Sequence, residues 1–302
     1  MQRLELAAVA CPICHTHDNA RELYGAKLTD AAFNPETFSA RRLPDRVHYR
    51  VVRCNSCGLV RSDPVANPAL QAELYRKSTF DYGDQVDNLR ITYGRYLAKL
   101  PKPGALLEIG CGNGFMLQEA LEQGYTSVTG VEPSADAVAR ADPAIRGKIV
   151  CDIMRPGLFE PSSFDAIAMF QTFDHIPDPN ALLDDCINVL KPGGLLLCVH
   201  HNVDAASAKL LGERSPIIDV EHPFLYSPPT MTRIAAAHGL QVVDLGRATN
   251  QVTARYLAWL APFPTGLKQS LLQRLKRAPI GRMSFSLPLG NLFFIAKKPE
   301  ST

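Results

Sequence analysis

From residue 105 onward, short runs of consecutive apolar residues alternate with segments whose apolar positions recur every three or four residues. The runs at 105–109, 127–131, 149–151, 164–170, 195–200 and 241–245 have the length and composition of strands. The segments at 115–123, 135–141, 181–190 and 229–238 have helical spacing, the last stopped by Gly239. A seventh apolar run lies at 291–296. Strands alternating with helices predict an α/β fold with a doubly wound, mostly parallel, seven-stranded sheet.

Upstream the pattern changes. Leu70 and Leu74, then Leu89, Tyr93, Tyr96 and Leu97, are spaced for two helices, and Pro101 and Pro103 punctuate their end. The first 64 residues hold two CxxC pairs, with an alternating run at 47–52 leading into the second. The expected organisation is a small module over 1–64, a helical bridge over 65–100, and the α/β domain over 101–302 with a helical insertion at about 248–289.

Apolar residues make up 46% and charged residues 21% of the chain, the balance of a packed globular protein. A net charge of +2 gives no electrostatic footprint for nucleic acid. The N-terminus lacks the pattern of a secretory signal, and no apolar stretch approaches bilayer-spanning length, so a cytoplasmic location is expected. Cys111, Cys151, Cys186 and Cys198 sit singly in expected core elements and read as small buried hydrophobes.

The densest chemistry lies at Glu108-Ile109-Gly110-Cys111-Gly112-Asn113-Gly114, which runs from a strand through a glycine turn into a helix. Glycines let backbone turn tightly and approach a ligand, and the following helix N-terminus offers unpaired N–H groups. The next strand ends in Glu132, whose carboxylate can accept bonds from both hydroxyls of a ribose. A dinucleotide loop of the GxGxxG type would need glycine where Phe115 stands, whereas the ExGxGxG pattern is satisfied.

On these residues the chain resembles the class I S-adenosylmethionine-dependent methyltransferases over about residues 100–300. The resemblance implies a Rossmann-like methyltransferase fold. It places the methionine end of S-adenosyl-L-methionine on Glu108, Gly110, Gly112 and Gly114, the ribose on Glu132, and the adenine beside Asp152. The stretch Gln171-Thr172-Phe173-Asp174-His175-Ile176-Pro177-Asp178-Pro179 resembles the family's "LEHVPDP" segment, with Asp174 in place of glutamate, and adds Gln171 to the cofactor set. More narrowly, the chain resembles a subgroup with an N-terminal CxxC module, a "PN" after strand five and a "GER…EH…FSP" segment. Here His201-Asn202 replaces the first, and Gly212-Glu213-Arg214 with 221–228 matches the second. Relatives in that subgroup methylate nucleotide-linked sugars and other small metabolites.

The pairs Cys11/Cys14 and Cys54/Cys57 can close a tetrahedral thiolate site around Zn2+. Four protein ligands leave no open coordination position, so the metal's expected role is structural, in a zinc-ribbon-like module with little core of its own. His15 and His17 lie close in sequence but are not needed as ligands.

Methyl transfer from a sulfonium asks the protein to orient an acceptor and remove its proton. Candidates gather at the carboxyl ends of strands four to six, where open α/β sheets bind ligands: His175, His201, and the pair Glu221-His222, which the resemblance ranks first. If strand six runs with its neighbours, the insertion leaves from that same edge. Tyr256, Trp259 and Phe263 at helical spacing then read either as packing or as an aromatic lid, and Lys268, Arg274, Lys276, Arg277 and Arg282 as a solvated face, a phosphate-attracting surface or a peripheral membrane contact.

The function expected is methyl transfer to a small-molecule acceptor, first to oxygen with nitrogen and carbon left open, and with glycan, nucleotide-sugar and phosphate-bearing acceptors in view. The alternatives are an RNA-modifying methyltransferase that grips RNA through its zinc module, and a non-catalytic cofactor-binding domain. No nucleic-acid partner is expected, and the oligomeric state is left open.

Overall fold

The computed structural model describes residues 5–29, 33–38, 46–79, 83–261 and 263–300. The N-terminal part supplies five short strands, β1 (Leu6–Ala7), β2 (Ala20–Tyr24), β3 (Val51–Cys54), β4 (Val60–Ser62) and β5 (Val65–Ala66), and the helices α1 (Pro68–Lys77) and α2 (Val86–Leu97). The rest alternates: β6 (Ala105–Ile109), α3 (Phe115–Glu122), β7 (Ser127–Val131), α4 (Ala135–Ala139), α5 (Pro143–Arg146), β8 (Ile149–Val150), β9 (Phe164–Phe170), α6 (Pro179–Val189), β10 (Leu190–His201), α7 (Ala206–Leu211), β11 (Phe224–Leu225), α8 (Pro228–Ala237), β12 (Gln241–Thr253), α9 (Ala254–Leu260), α10 (Thr265–Arg277) and β13 (Ser284–Lys297).

Seven strands form the main sheet in the order β12-β13-β10-β9-β6-β7-β8. β6, β7, β8, β9 and β10 pair in parallel, and β13 inserts antiparallel between β10 and β12. β12 therefore runs in the same sense as the parallel strands. Both faces of the sheet are covered, so neighbouring residues of one strand enter different cores. Leu107 and Ile167 pack toward α6 and α8, while Leu106, Ala166 and Ala168 pack toward α2 and α3. On that second face Tyr93 stacks on Phe170 and Tyr96 on Phe293, each pair with ring centroids 4.8 Å apart. The second helix of the expected bridge is thus part of the sheet's covering layer.

Three local details differ from the sequence pattern. β10 starts at Leu190, and the Lys-Pro-Gly-Gly turn lies inside it as a register break between Leu190 and Leu195. β12 and β13 continue past the sheet edge as a paired arm, Asn250 opposite Leu287 and Thr253 opposite Ser284. Residues 248–253 and 284–289 of the expected insertion therefore extend strands, and α9 and α10 occupy only its middle. Finally, Cys111, Cys186 and Cys198 are buried as expected, but Cys151 is exposed, because the edge strand β8 ends one residue before it.

A second sheet, β11-β4-β3-β2, joins the N-terminal module to the α/β domain. Phe224 pairs with Arg61 and Leu225 with Val60. Arg61 is fully buried and donates to the carbonyls of Val9 and His17 and to Asp63, which ties three stretches of the module together. Cys11, Cys54, Cys57 and Leu59 share one core with Phe173, Phe224 and Tyr226.

Candidate active site

The carboxyl ends of the parallel strands open into a cavity of about 1020 Å³. At one end lies the turn after β6. Gly110 and Gly114 both adopt positive φ, 73° and 75°. A Cβ at Gly110 would meet the Thr172 side chain at 2.5 Å, and one at Gly114 the Ile145 side chain at 2.6 Å. Glycine is therefore demanded twice over, by conformation and by crowding. Gly112 shares the positive φ and donates its N–H to the Glu132 carboxylate at 2.9 Å, which also accepts from the Ser134 N–H at 2.8 Å. Gly112 and Gly114 shape the turn, while Glu108, Gly110, Glu132, Asp152 and Gln171 line the cavity.

Two of these lining residues are short of partners. Glu108 Oε2 and Gln171 Oε1 are buried acceptors with no hydrogen-bond donor within the protein. Burial, with Glu132 adding repulsion, holds the Glu108 carboxyl well above its ordinary value. Gln171 has φ 54°, rare for a side chain with a Cβ, and is held there by its N–H bond to the Val199 carbonyl at 2.7 Å. Strain of this kind is retained where the surroundings over-determine it. Asp152, at the third strand, is kept ionised by the Ile153 N–H and Arg155. A carboxylate pair, an aimed amide oxygen and a glycine cradle suit a ligand with an ammonium group and a ribose, so these residues fit S-adenosylmethionine.

The other end of the cavity is built from histidines. His175 follows β9, His201 ends β10, and Glu221 and His222 precede β11; all four line the cavity. The His222 ring lies 4.6 Å from that of His175 and 4.7 Å from that of His201, centroid to centroid. Asp174 sits behind them, fully buried. Its Oδ2 meets His201 Nδ1 at 2.6 Å, and its Oδ1 has no hydrogen-bond donor. Burial alone would raise the Asp174 carboxyl, but His201, with His175 and His222 beyond it, holds it well below the usual carboxylate range. An ionised carboxylate only accepts, so His201 Nδ1 carries a proton, and in the neutral ring Nε2 is the nitrogen left to take another. His222 Nδ1 lies 3.0 Å from the Ile217 carbonyl, which fixes the same tautomer there. Burial first, and the other imidazoles next, push His222 well below the ordinary histidine range.

One contributor is invisible in the sequence pattern. The hydroxyl of Tyr75, on α1, meets His175 Nδ1 at 3.0 Å. Nothing marks Tyr75 beyond helical spacing, since its partner is distant in the chain. On the far wall Tyr256 and Trp259 stack at 5.4 Å and face the cavity, whereas Phe263 is exposed and does not line it.

The four knuckle cysteines also converge. Their sulfurs all lie within 4.8 Å of one another, with Cys11 to Cys57 at 3.5 Å and Cys14 to Cys54 at 3.9 Å. A tetrahedral zinc with bonds of about 2.3 Å needs sulfurs about 3.8 Å apart, so the donor set fits. Gly58, with φ 83°, makes the turn out of the second knuckle and donates its N–H to the Cys54 carbonyl. His15 and His17 lie outside this group and are exposed.

A methyltransferase-domain family model matches residues 87–245, from α2 to the middle of β12. The chain belongs to that family. It is 37% identical over 112 residues to the ubiquinone biosynthesis O-methyltransferase of Xylella fastidiosa (strain 9a5c), covering 33% of this chain and 44% of that protein. To the protein of the same name from Ralstonia nicotianae (strain ATCC BAA-1114 / GMI1000) it is 27% identical over 165 residues, covering 50% and 69%. The chain thus spans less than half the length of the first curated relatives it matches. Among solved structures, the fold is shared with a chain of the Haloferax volcanii complex containing the Trm112 methyltransferase activator (TM-score 0.53, 17% identity, 72% of this chain and 92% of that one). It is also shared with the YcgJ protein from Bacillus subtilis (TM-score 0.50, 18% identity, 70% and 99%).

Proposed function

We propose that this chain is an S-adenosylmethionine-dependent methyltransferase acting on an oxygen of a small molecule, with zinc held structurally by Cys11, Cys14, Cys54 and Cys57. The observation that carries this is the shared cavity: the Gly110 cradle with its unpartnered Glu108 carboxylate at one end, and the carboxylate-backed His201 at the other. The name shared by the Xylella and Ralstonia relatives supports oxygen as the acceptor atom. A cytoplasmic location suits four thiols that must stay reduced to bind metal.

When bound, S-adenosylmethionine supplies a methyl group already activated by its sulfonium. Glu108 and Gln171 would hold the methionine end, Glu132 the ribose, and Asp152 the adenine side. His201 Nε2 takes the acceptor's hydroxyl proton, and Asp174 stabilises the imidazolium that results, as a buried carboxylate does behind any catalytic imidazole. His222, the residue ranked first from sequence, has only a neutral carbonyl behind it and stays uncharged. Its role is to accept a hydrogen bond from the acceptor and orient it, with Glu221 and the Tyr75–His175 pair completing the wall.

Titration calorimetry on the zinc-loaded chain tests the reading. Binding of S-adenosylmethionine, lost in Glu132→Ala, is the expected result. Wild-type protein that binds none would overturn it.

A further inference from the structure

α10 and the turn after it, residues 263–285, line no part of the cavity, and their stretch of the chain is one-sided in charge. Between Asp244 and Glu300 the chain contains no aspartate or glutamate. Over the same stretch Arg255, Lys268, Arg274, Lys276, Arg277 and Arg282 gather in and around α9 and α10. Charge patterning this one-sided is absent elsewhere: the whole chain balances 32 basic against 30 acidic residues.

The same segment leaves its apolar side chains in water. Phe263, Leu267, Ile280, Met283 and Phe285 are each more than a third exposed, and they are five of the twelve large apolar residues so exposed among the described residues. Within α10 the leucines at 267, 271, 272 and 275 form a stripe at helical spacing. Leu271, Leu272 and Leu275 are only half-buried, and Leu267 is open. A helix with a leucine stripe flanked by Lys268 and Arg274, a polar opposite side carrying Lys276 and Arg277, and low overall hydrophobicity has the composition of one that lies in a membrane interface. No helix among the described residues is long and apolar enough to cross a bilayer.

We propose that α10 and the turn after it, residues 263–285, dock the protein peripherally on an anionic lipid surface. The charge pattern selects this occupant. A second copy of the chain, packed through the same segment, would bring one acid-free stretch against another. A nucleic acid would use the cations but leave the exposed leucine, isoleucine, methionine and phenylalanine side chains unsatisfied. An anionic bilayer answers both, with phosphates for the lysines and arginines and an acyl boundary for the apolar tips. The position adds a consequence: α10 packs on α9, whose Tyr256 and Trp259 line the cavity. The docked face therefore adjoins the cavity wall.

Vesicle flotation with the zinc-loaded 302-residue chain decides the matter, and needs neither methyl donor nor acceptor, so its outcome is separate from the catalytic reading. Binding to phosphatidylcholine vesicles containing phosphatidylglycerol, much weaker binding to phosphatidylcholine alone, and loss at high salt are expected. Lys276→Glu with Arg277→Glu should weaken binding at least about tenfold, since each basic residue near such a surface contributes strongly. Leu267→Glu with Ile280→Glu should do the same while S-adenosylmethionine binding and Tm stay at wild-type values. No flotation with anionic vesicles, equal flotation with both vesicle types, or self-association through this face detected by light scattering with no lipid binding would each overturn the proposal.

Discussion

His201 donates its Nδ1 proton to Asp174 across 2.6 Å, and the two residues come from the ends of neighbouring strands, β10 and β9. Each is a departure from the sequence pattern the chain resembles, histidine for proline and aspartate for glutamate. In the structure the two departures are partners. With His201 as base, His201→Ala should lower kcat by about 10²–10⁴-fold. Asp174→Asn should lower kcat by about tenfold or more with little change in KM, because it removes imidazolium stabilisation but not the acceptor's contacts. His222→Gln should act mainly on KM. Steady-state kinetics on an acceptor found by screening phenols and sugar hydroxyls separates these, and a larger kcat loss for His222→Gln than for His201→Ala would reverse the assignment.

Glu108 is a cost to the empty protein. Its carboxyl is raised well above 4.5 by burial first and Glu132 second. A raised folded-state pKa means that stability is fully present below 4.5 and is lost as pH climbs toward the folded value. Glu108→Gln should therefore be more stable than wild type at pH 8, by about 1 kcal/mol, with the gap closing toward pH 4.5. The same change should weaken S-adenosylmethionine binding at least about tenfold, since a cationic group loses its carboxylate. Thermal melts across pH and calorimetry at pH 8 check both halves. A variant that binds as tightly as wild type would remove Glu108 from the cofactor set.

The buried histidines act in the opposite sense. His175, His200 and His222 are all held below 6.5, chiefly by burial. The unfolded chain takes up protons near 6.5 that the folded chain refuses, so their contribution to stability is present above that value and is lost as pH falls. Each refused proton costs up to about 1.4 kcal/mol per pH unit. Denaturant melts should show stability falling from pH 7 to 5.5, with a shallower fall in His222→Gln. An equal slope in both proteins would mean that His222 is not buried as described.

Metal removal should reach further than the module that binds it. Mass spectrometry under native conditions should find one zinc per chain, and chelation or Cys57→Ser should lower Tm by about 10 °C. Loss of zinc with Tm and methyl transfer both unchanged would show the four thiols to be dispensable.

Much of the donor end was legible because it is local. A strand, a glycine turn and an acidic strand end are short-range patterns, and residues 105–132 carry them in order. The acceptor end was legible only as a set of candidates. Which histidine has a carboxylate behind it depends on β9 and β10 lying side by side, and no periodicity reports that Asp174 rather than Glu221 backs an imidazole. Tyr75 was missed for the same reason. The antiparallel arm was hidden by its composition: Ala248-Thr249-Asn250-Gln251 has no alternation, so the strand shows only through its pairing with β13. Cys151 was misjudged because a two-residue edge strand has no interior to bury it.

The pairing of β4 with β11 has a consequence for assembly. During synthesis β4 emerges well before its partner Phe224-Leu225. The wall that carries His222 is thus completed by a strand adding itself to a template laid down earlier. A fragment beginning at α2 would keep the main sheet and the glycine turn but offer β11 no strand to settle against.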